Sequence, residues 1–518
     1  MKKYIESFFD ENSKFIFVST ITVMLLAHGF CFMNLMFSHD SLGFADTSGL
    51  RKVGLGRWLY PFFVHRRLIA TPWVMGVLSI LYVSLAVVLV AKVFDLSKVQ
   101  GLPVGILFAS NVTLTSLFCT YIFDADADCF ALLLACFAIY AFKKLPVVLR
   151  IIVPIISISF CLALYQAYIC VAIGLFLLLL ICASNESSDW KDVLNVFLMG
   201  VKELMILLLG SVLYILLMRV ASKYYGIELS TDYNGAGNLR SLKINDVIND
   251  IPIAYQYFRD TFFNITEYNT LSIVRINWLM LILLLISLVI YVYSHRKFLG
   301  SLVIVIPCLM VIPLGLNAIH LVSFGVMHQL MVFAFCIIYL LPQIISSRVL
   351  ESDLENVNIH KVISYLRNVV CGIAFFAIAY IGYSNIIYSN EAYVYKKLVY
   401  DNTALHAQTI WKDINCIDGY NEGETQVVFM GEFTKSKVAY NGSVGTRYLS
   451  VLTGAGSSSI TYPGTDNDFY YNILGRGLNI SHNDAELLED PEYIEMPAYP
   501  REGYCKMIGD SVVVKLQN

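Results

Sequence analysis

An aspartate and a group of arginines lie where the first long apolar segment meets its first polar loop. Asp40 follows that segment directly, and the loop after it carries Arg57 and then the pair Arg66 and Arg67. A carboxylate can take a proton from a hydroxyl group, and an arginine can hold a phosphate through two parallel hydrogen bonds. These residue types at this place predict chemistry on a phosphate-bearing lipid at a membrane face.

A second acidic group follows the third apolar segment. Asp124, Asp126 and Asp128 alternate with single residues in the run 121–128. Carboxylates at a membrane interface cost solvation free energy unless they stay wet, pair with cations or bind a metal. We predict that Asp124 binds substrate or a cation and that Asp126 and Asp128 are largely solvated. A divalent cation held by Asp124 and Asp126 against a phosphate is an alternative that the sequence leaves open; no other cofactor is expected.

The composition predicts a polytopic α-helical membrane protein. The chain is 57% hydrophobic and 14% charged, and apolar stretches near the bilayer-spanning length of about 20 residues recur through residue 389. The stretch 151–183 is too long for one span and has Tyr165 and Gln166 at its middle, so we interpret it as two helices joined by a turn. Polar side chains at that turn could hydrogen-bond a sugar. About eleven spans result, at 15–37, 73–91, 101–119, 129–142, 151–165, 168–183, 193–218, 277–293, 299–317, 328–346 and 368–389.

Basic residues in the predicted loops set the orientation. With the stretch 151–183 split and the N-terminus in the cytoplasm, every cytoplasmic segment carries Lys or Arg, whereas the short outer loops at 120–128 and 318–327 carry none. This pattern agrees with the positive-inside rule. The outer loop 38–72 is basic nevertheless, and an anionic ligand is the simplest reason for that charge.

The predicted outer loops 38–72, 120–128 and 219–276 form the active-site face of a membrane domain that spans residues 1–389. Within the longest of these loops, residues 244–263 have apolar side chains at helical spacing. They predict a helix that lies either on the membrane interface over the site or on the C-terminal tail.

The composition changes from about residue 390. Runs such as 426–430 and 511–516 are typical of strands, and turn signals separate them. We predict a small extracytoplasmic α/β domain over residues 390–518. Its two cysteines, Cys416 and Cys505, are compatible with a disulfide in an oxidising compartment and equally with two unpaired thiols. The sequence has no phosphate-binding glycine loop or classic zinc pattern, and no nucleic-acid partner is expected.

Several short motifs follow one another along the chain: Asp40, Gly56-Arg57-Trp58-Leu59, Tyr121-Ile122-Phe123-Asp124, Tyr165-Gln166-Ala167-Tyr168 and Pro497-Ala498-Tyr499-Pro500. In this order they resemble the Gtr-type glucosyltransferases of bacteria and phages, which are serotype-converting enzymes that modify the O-antigen of lipopolysaccharide. The family has a second Asp directly after the first; here Ser41 takes that place, and Asp46, the nearest carboxylate after it, is the candidate to replace it in binding substrate or a cation. The family also has an Arg in the later spans where His328 stands, so the resemblance carries a phosphate-binding role to His328.

The resemblance implies a membrane glycosyltransferase of the GT-C superfamily with a polyprenyl-phosphate sugar as donor. The favoured hypothesis is therefore a hexosyltransferase of the bacterial cytoplasmic membrane. It would move glucose or a related sugar to a hydroxyl of a cell-surface glycan outside that membrane. Asp40 would be the base, and Arg57 with Arg66 or Arg67 would hold the departing phosphate. A single displacement would invert the anomeric centre.

Two other classes of membrane protein share some of these features. A lipid-linked sugar flippase or transporter would explain the spans. It also predicts charged residues within the spans and two halves of similar sequence, whereas this chain has few such charges and no convincing internal repeat. A glycan polymerase or ligase also has basic outer loops, and it would use a diphosphate-linked oligosaccharide as donor. The expected partners of the favoured enzyme are the donor lipid, the glycan acceptor and the bilayer.

Overall fold

The computed structural model describes residues 8–42, 49–64, 69, 71–231, 237, 243–265, 269–295, 298–323, 327–347, 357–433, 461 and 464–517. Most of these residues are helical. The α-helices are α1 Glu11–Met33, α2 Leu50–Gly54, α3 Tyr60–Val64, α4 Pro72–Val93, α5 Lys98–Ala109, α6 Val112–Thr120, α7 Ala125–Lys144, α8 Leu149–Leu164, α9 Ile169–Ser184, α10 Trp190–Tyr225, α11 Ile244–Phe263, α12 Leu271–Ser294, α13 Leu302–Leu316, α14 Leu341–Ser347, α15 Val357–Asn415, α16 Asp466–Asp468 and α17 Pro491–Glu495.

Seven helices of the described part are long and apolar enough to cross a membrane, so we treat the chain as a membrane protein. Three further apolar helices are shorter, at Leu149–Leu164, Leu302–Leu316 and Phe333–Ser346. The count of eleven spans and the orientation of the termini stay predictions. The seven candidate spans are Glu11–Met33, Pro72–Val93, Lys98–Thr120, Gln166–Ser184, Trp190–Tyr225, Leu271–Ser294 and Lys361–Asn415.

The helix break predicted within 151–183 is present. Helix α8 ends at Leu164, a 3-10 turn occupies Gln166–Tyr168, and α9 begins at Ile169. Gln166 begins the turn, and Tyr165 directly precedes it. Both polar residues that the sequence singled out thus lie at the junction of the two helices.

Several predicted spans differ from the observed helices. The first ends at Met33 rather than at residue 37, and extended backbone then leads into the loop. The third, 101–119, is interrupted after Ala109, because Asn111 accepts the Thr113 amide at 2.9 Å and starts a new helix. The span predicted at 328–346 begins as 3-10 turns and becomes α-helical at Leu341.

Helix α15 runs without a break through the boundary predicted at residues 389 and 390. Its first part belongs to the apolar bundle, and its end packs on a sheet formed by the C-terminal residues. Where one domain ends and the next begins therefore stays a prediction.

Small residues let the first helix approach its neighbours closely. A Cβ at Gly76 of α4 would lie 2.3 Å from the ring of Phe32, and one at Gly105 of α5 would lie 2.7 Å from the hydroxyl of Thr20. Because apolar lipid tails provide no driving force between apolar helices, such close packing is what holds a membrane bundle together. Any larger residue at Gly76 would push α1, the helix before the loop of Asp40, away from the bundle.

The helix predicted at 244–263 is α11, and it lies against the membrane helices rather than on the tail. Tyr255 donates a hydrogen bond to the carbonyl of Met310 at 2.7 Å, and Asn317 donates one to the carbonyl of Ala254 at 3.0 Å. These contacts fix the helix on α13 and on the turn that follows it.

The C-terminal residues form a four-stranded sheet of the order β2-β1-β4-β3. Strand β1 is parallel to β2 and β4, and β3 is antiparallel to β4. One face of the sheet packs on the end of α15, and Val428, Met430 and Val513 on the other face contact Tyr493 and Met496. The strands are β1 Gln426–Met430, β2 Asn479–His482, β3 Cys505–Ile508 and β4 Ser511–Lys515.

Candidate active site

The loop that carries Asp40 is fixed by serines on both sides of it. The hydroxyl of Ser38 donates to the carbonyl of Thr120 at 2.7 Å, and the amide of Ser38 donates to the hydroxyl of Ser41 at 2.6 Å. Asp40 sits between them in the 3-10 turn His39–Ser41. The Ser41 hydroxyl is thus used in holding the turn, and the turn is joined to the end of α6.

The carboxylate of Asp40 is partly open to solvent and ionised. Its side chain is 39% exposed, and it lies 3.3 Å from Nε2 of His39. Burial raises the pKa of Asp40, but hydrogen bonds with His39 and Tyr121 and the charge of Lys52 outweigh it and hold the pKa below its ordinary value. A reachable, ionised carboxylate is the form that a general base requires.

Arg57 is placed by a helix-terminating turn. Gly56 has a φ of +85°, a conformation that glycine adopts without steric cost. The amide of Gly56 donates to Val53 at 2.9 Å, and the amide of Arg57 donates to Lys52 at 3.0 Å. These two bonds form a Schellman motif at the end of α2. The motif gives a structural reason for Gly-Arg in the sequence, because the glycine fixes the direction in which the arginine leaves the helix.

Asp124 is the centre of a buried cluster. Its carboxylate accepts hydrogen bonds from the ammonium of Lys52 and from the hydroxyl of Tyr60. Nη1 of Arg57 lies 4.0 Å from the same carboxylate. Asp124 is fully buried, and the Lys52 and Arg57 side chains are 15% and 16% exposed. The cluster ties the basic loop to the start of α7.

The prediction that Asp126 and Asp128 are largely solvated is wrong. Each residue is 1% exposed, because the acidic run opens helix α7 and packs inside the bundle. Neither carboxylate oxygen of Asp128 has a hydrogen-bond partner among the described residues. Burial acts to lower the pKa of Arg57, but the negative charges around it, that of Asp128 first, raise the pKa above its ordinary value. Burial in turn raises the pKa of the Asp128 carboxyl to about 8, and the charge of Arg57 acts against that rise.

Tyr165 and Gln166 lie against the same loop. The guanidinium of Arg57 stacks over the ring of Tyr165 at 4.9 Å, a cation–π contact. The amide of Gln166 donates to the carbonyl of Leu55 at 3.0 Å and to the hydroxyl of Tyr214 at 3.2 Å. The structure therefore brings these two residues to Arg57, as supports of the basic loop.

Two histidines that follow α13 have different surroundings. Burial lowers the pKa of His328, and the charge of Asp40 acts on it in the opposite direction, so the two side chains are electrostatic neighbours. His320 is almost fully buried, and its Nδ1 lies 2.6 Å from the carboxylate of Asp250 on α11. His320 thus fastens α11, and the phosphate-binding role of His328 stays a prediction.

Three predicted site residues, Asp46, Arg66 and Arg67, lie outside the described residues. Of the basic loop, the structure thus places Lys52 and Arg57 against the acidic run.

The acidic run does not fit a divalent cation. Asp124 already binds Lys52 and Tyr60, so a metal would have to displace an ammonium group. Across the described ranges, no group of three or more His, Cys, Asp or Glu residues could hold a metal ion.

Of the two alternatives for the cysteines of the C-terminal region, the structure has the unpaired thiols. Cys416 and Cys505 are both free thiols. Cys416 is exposed just after α15, whereas Cys505 is partly buried in β3 and packs against the hydrophobic core. Their side chains have different surroundings and are not bonded.

Three residues of the site were not among the sequence candidates. Lys52 and Tyr60 hold Asp124, and Tyr121 shares a hydrogen bond with Asp40. Lys52 lies in the basic outer loop, and Tyr121 is the first residue of the motif Tyr121-Ile122-Phe123-Asp124, so the sequence gives a signal for both. Nothing in the spacing of Tyr60 distinguishes it from the aromatic residues beside it.

One comparison with known proteins finds a match. Residues 29–341, more than half of the chain, match the model of the family described as Glucosyl transferase GtrII. The matched range includes Asp40, Arg57, Asp124, Tyr165 and His328. Neither the curated proteins nor the solved structures give a match.

Proposed function

The chain belongs to the GtrII glucosyl transferase family, and we propose that it transfers a hexose, with glucose as the favoured sugar, from a polyprenyl monophosphate to a cell-surface glycan such as O-antigen. The reaction takes place at the outer face of the bacterial cytoplasmic membrane. The observation that carries the proposal is the ionised, accessible carboxylate of Asp40 next to the basic cluster of Lys52 and Arg57.

In the proposed reaction Asp40 removes the proton from the acceptor hydroxyl. The hydroxyl oxygen forms a bond to the anomeric carbon of the donor sugar, and the bond from that carbon to the phosphate oxygen breaks. The electron pair leaves with the polyprenyl phosphate. Attack and departure on opposite faces of the sugar invert the anomeric centre. A positioned base contributes about 10²–10⁴ in rate.

The contacts of Lys52 and Arg57 bear on which residues hold the phosphate. Both cations lie against the buried carboxylate of Asp124, so part of their positive charge is already compensated within the cluster. A departing phosphate is stabilised by further cationic hydrogen-bond donors. Arg66 and Arg67, which follow in the same loop, are the residues that we propose for it, with His328 on the Asp40 side and Arg57 as the fixed contact.

The proposed donor separates this function from its rivals in one assay. The purified enzyme is incubated with polyprenyl-phosphoglucose, with a sugar nucleotide or with a diphosphate-linked oligosaccharide. Sugar transfer to the surface oligosaccharide of the bacterium that produces the enzyme is then measured. We expect transfer from the monophosphate donor alone. Transfer from the diphosphate donor would favour a polymerase or ligase, and no turnover of any donor would contradict the proposal.

A further inference from the structure

A turn of the C-terminal region touches the loop of Asp40. The amide group of Asn472 donates a hydrogen bond to the carbonyl of Leu42 at 2.9 Å. Leu42 is two residues after Asp40 and is fully buried. The turn Phe469–Ile473 thus contacts the loop that carries the proposed base.

The same turn is anchored at other points. Phe469 and Tyr470 are fully buried, and the hydroxyl of Tyr470 donates to the carbonyl of Ala407 on α15 at 3.2 Å. Asn467, just before the turn, exchanges two hydrogen bonds of 3.2 Å with the backbone of Ile480 in β2. Contacts to the helix, the sheet and the loop of Asp40 therefore determine where the turn lies.

Tyr471 is the residue that this anchored turn presents to solvent. It is 70% exposed, although its neighbour Tyr470 is fully buried and Asn472 is bonded to the loop of Asp40. A large exposed ring, in a turn that contacts the loop of the proposed base, is available to a ligand. Since tyrosine combines an apolar face with a polar edge, it suits a ligand that does the same.

We propose that Tyr471 binds the acceptor glycan by stacking its ring on a sugar next to the one that is glycosylated. The inference rests on the proposed function, in which the donor lipid comes from the bilayer and the acceptor from the aqueous side. A pyranose ring has a face of C–H groups that packs on an aromatic ring, and its hydroxyls stay in water. Tyr471 is adjacent to Asn472, which contacts Leu42, and Leu42 is two residues after Asp40, so only a short path of residues joins the ring to the proposed base.

The test measures acceptor and donor use separately in the full-length enzyme. The probes are polyprenyl-phosphoglucose and the released surface oligosaccharide of the host strain, and slow donor hydrolysis is followed without acceptor. For Tyr471→Ala we expect the KM for the oligosaccharide to rise about two- to tenfold, the strength of an aromatic contact. The KM for the donor and its hydrolysis rate stay unchanged.

Two variants control the assignment. Tyr471→Phe retains the ring and should restore the acceptor KM, and Leu488→Ala, at a 58% exposed site in the turn Glu486–Glu489, should leave it unchanged. Tyr471→Gln repeats the test if the Ala variant folds poorly. The inference is overturned if Tyr471→Ala and Tyr471→Gln both leave the acceptor KM unchanged. It is also overturned if the acceptor KM of Tyr471→Phe is as high as that of Tyr471→Ala. Absence of both hydrolysis and transfer in the wild type would instead overturn the proposed function beneath it.

Discussion

The buried pair of Lys52 and Asp124 predicts how the basic loop fails when one partner is removed. Asp124 is fully buried, and Lys52 is 15% exposed. In Asp124→Ala the ammonium group and the hydroxyl of Tyr60 both lose their acceptor. Loss of one partner of a buried ion pair costs about 3–5 kcal/mol. We expect a clearly lower melting midpoint and no transfer.

A double variant separates the stability of the loop from its chemistry. Lys52→Met with Asp124→Asn removes both charges and keeps an acceptor for Tyr60. The melting midpoint should return toward that of the wild type, because no buried charge is left alone, whereas transfer should stay low. A thiol-reactive fluorophore can follow unfolding, since most cysteines of the described residues are buried.

The exposed pair of Lys397 and Asp401 on α15 provides the matched control. The Asp401 side chain is 55% exposed, and a surface pair of this kind is worth less than about 1 kcal/mol. Asp401→Ala should therefore leave both the melting midpoint and transfer close to wild type. The reasoning is refuted if Asp124→Ala melts like Asp401→Ala, or if the double variant recovers full transfer.

Three further predictions follow from the loop, from Asp40 and from the topology. Gly56→Ala should lower the free energy of unfolding by about 1–2 kcal/mol because the φ of Gly56 is left-handed, and it should reduce transfer because Arg57 moves. Its control is Gly509→Ala, at a left-handed site with open space in the β3–β4 turn. That variant should lose similar stability and keep transfer. The pKa of Asp40 is lowered, so its ionised form persists as pH falls and the acid limb of kcat/KM should lie below the ordinary pKa of an aspartate. His39→Gln should move that limb upward, and an acid limb near neutral pH in the wild type would point to another base. A phosphatase reporter that works only outside the cytoplasm, fused after Asn518, should be active, and a silent reporter would mean that the predicted orientation is wrong.

The helix breaks and turns of the site are the part of the fold that the sequence predicts best. Polar residues inside a long apolar stretch predicted the break at Tyr165 and Gln166, and apolar spacing predicted the helix Ile244–Phe263. Both features follow from local residue order. Helix ends and the break at Asn111 were missed, because an amide side chain that caps a helix inside a bundle resembles any other polar residue in the sequence.

The burial of the acidic run depends on tertiary structure, and the alternation of Asp with other residues in the run 124–128 does not predict it. In an extended turn the three acids share one face, whereas at the start of a helix Asp124 and Asp128 share one face. Acidic residues are also favourable in the first turn of a helix, a signal that supports the observed placement at the start of α7. Lys52 pairs with Asp124 from 72 positions away, a partnership that charge counting alone does not identify.

The most direct test of the account is the reaction of Asp40→Asn. This substitution keeps the size of the side chain and removes its basicity, and the exposed position of Asp40 makes a loss of folding unexpected. The purified variant, matched to the wild type in yield and melting midpoint, is assayed for glucose transfer from polyprenyl-phosphoglucose. The account predicts that donor binding is retained and that transfer falls by about 10²–10⁴. Transfer at the wild-type rate by a well-folded Asp40→Asn enzyme would contradict it.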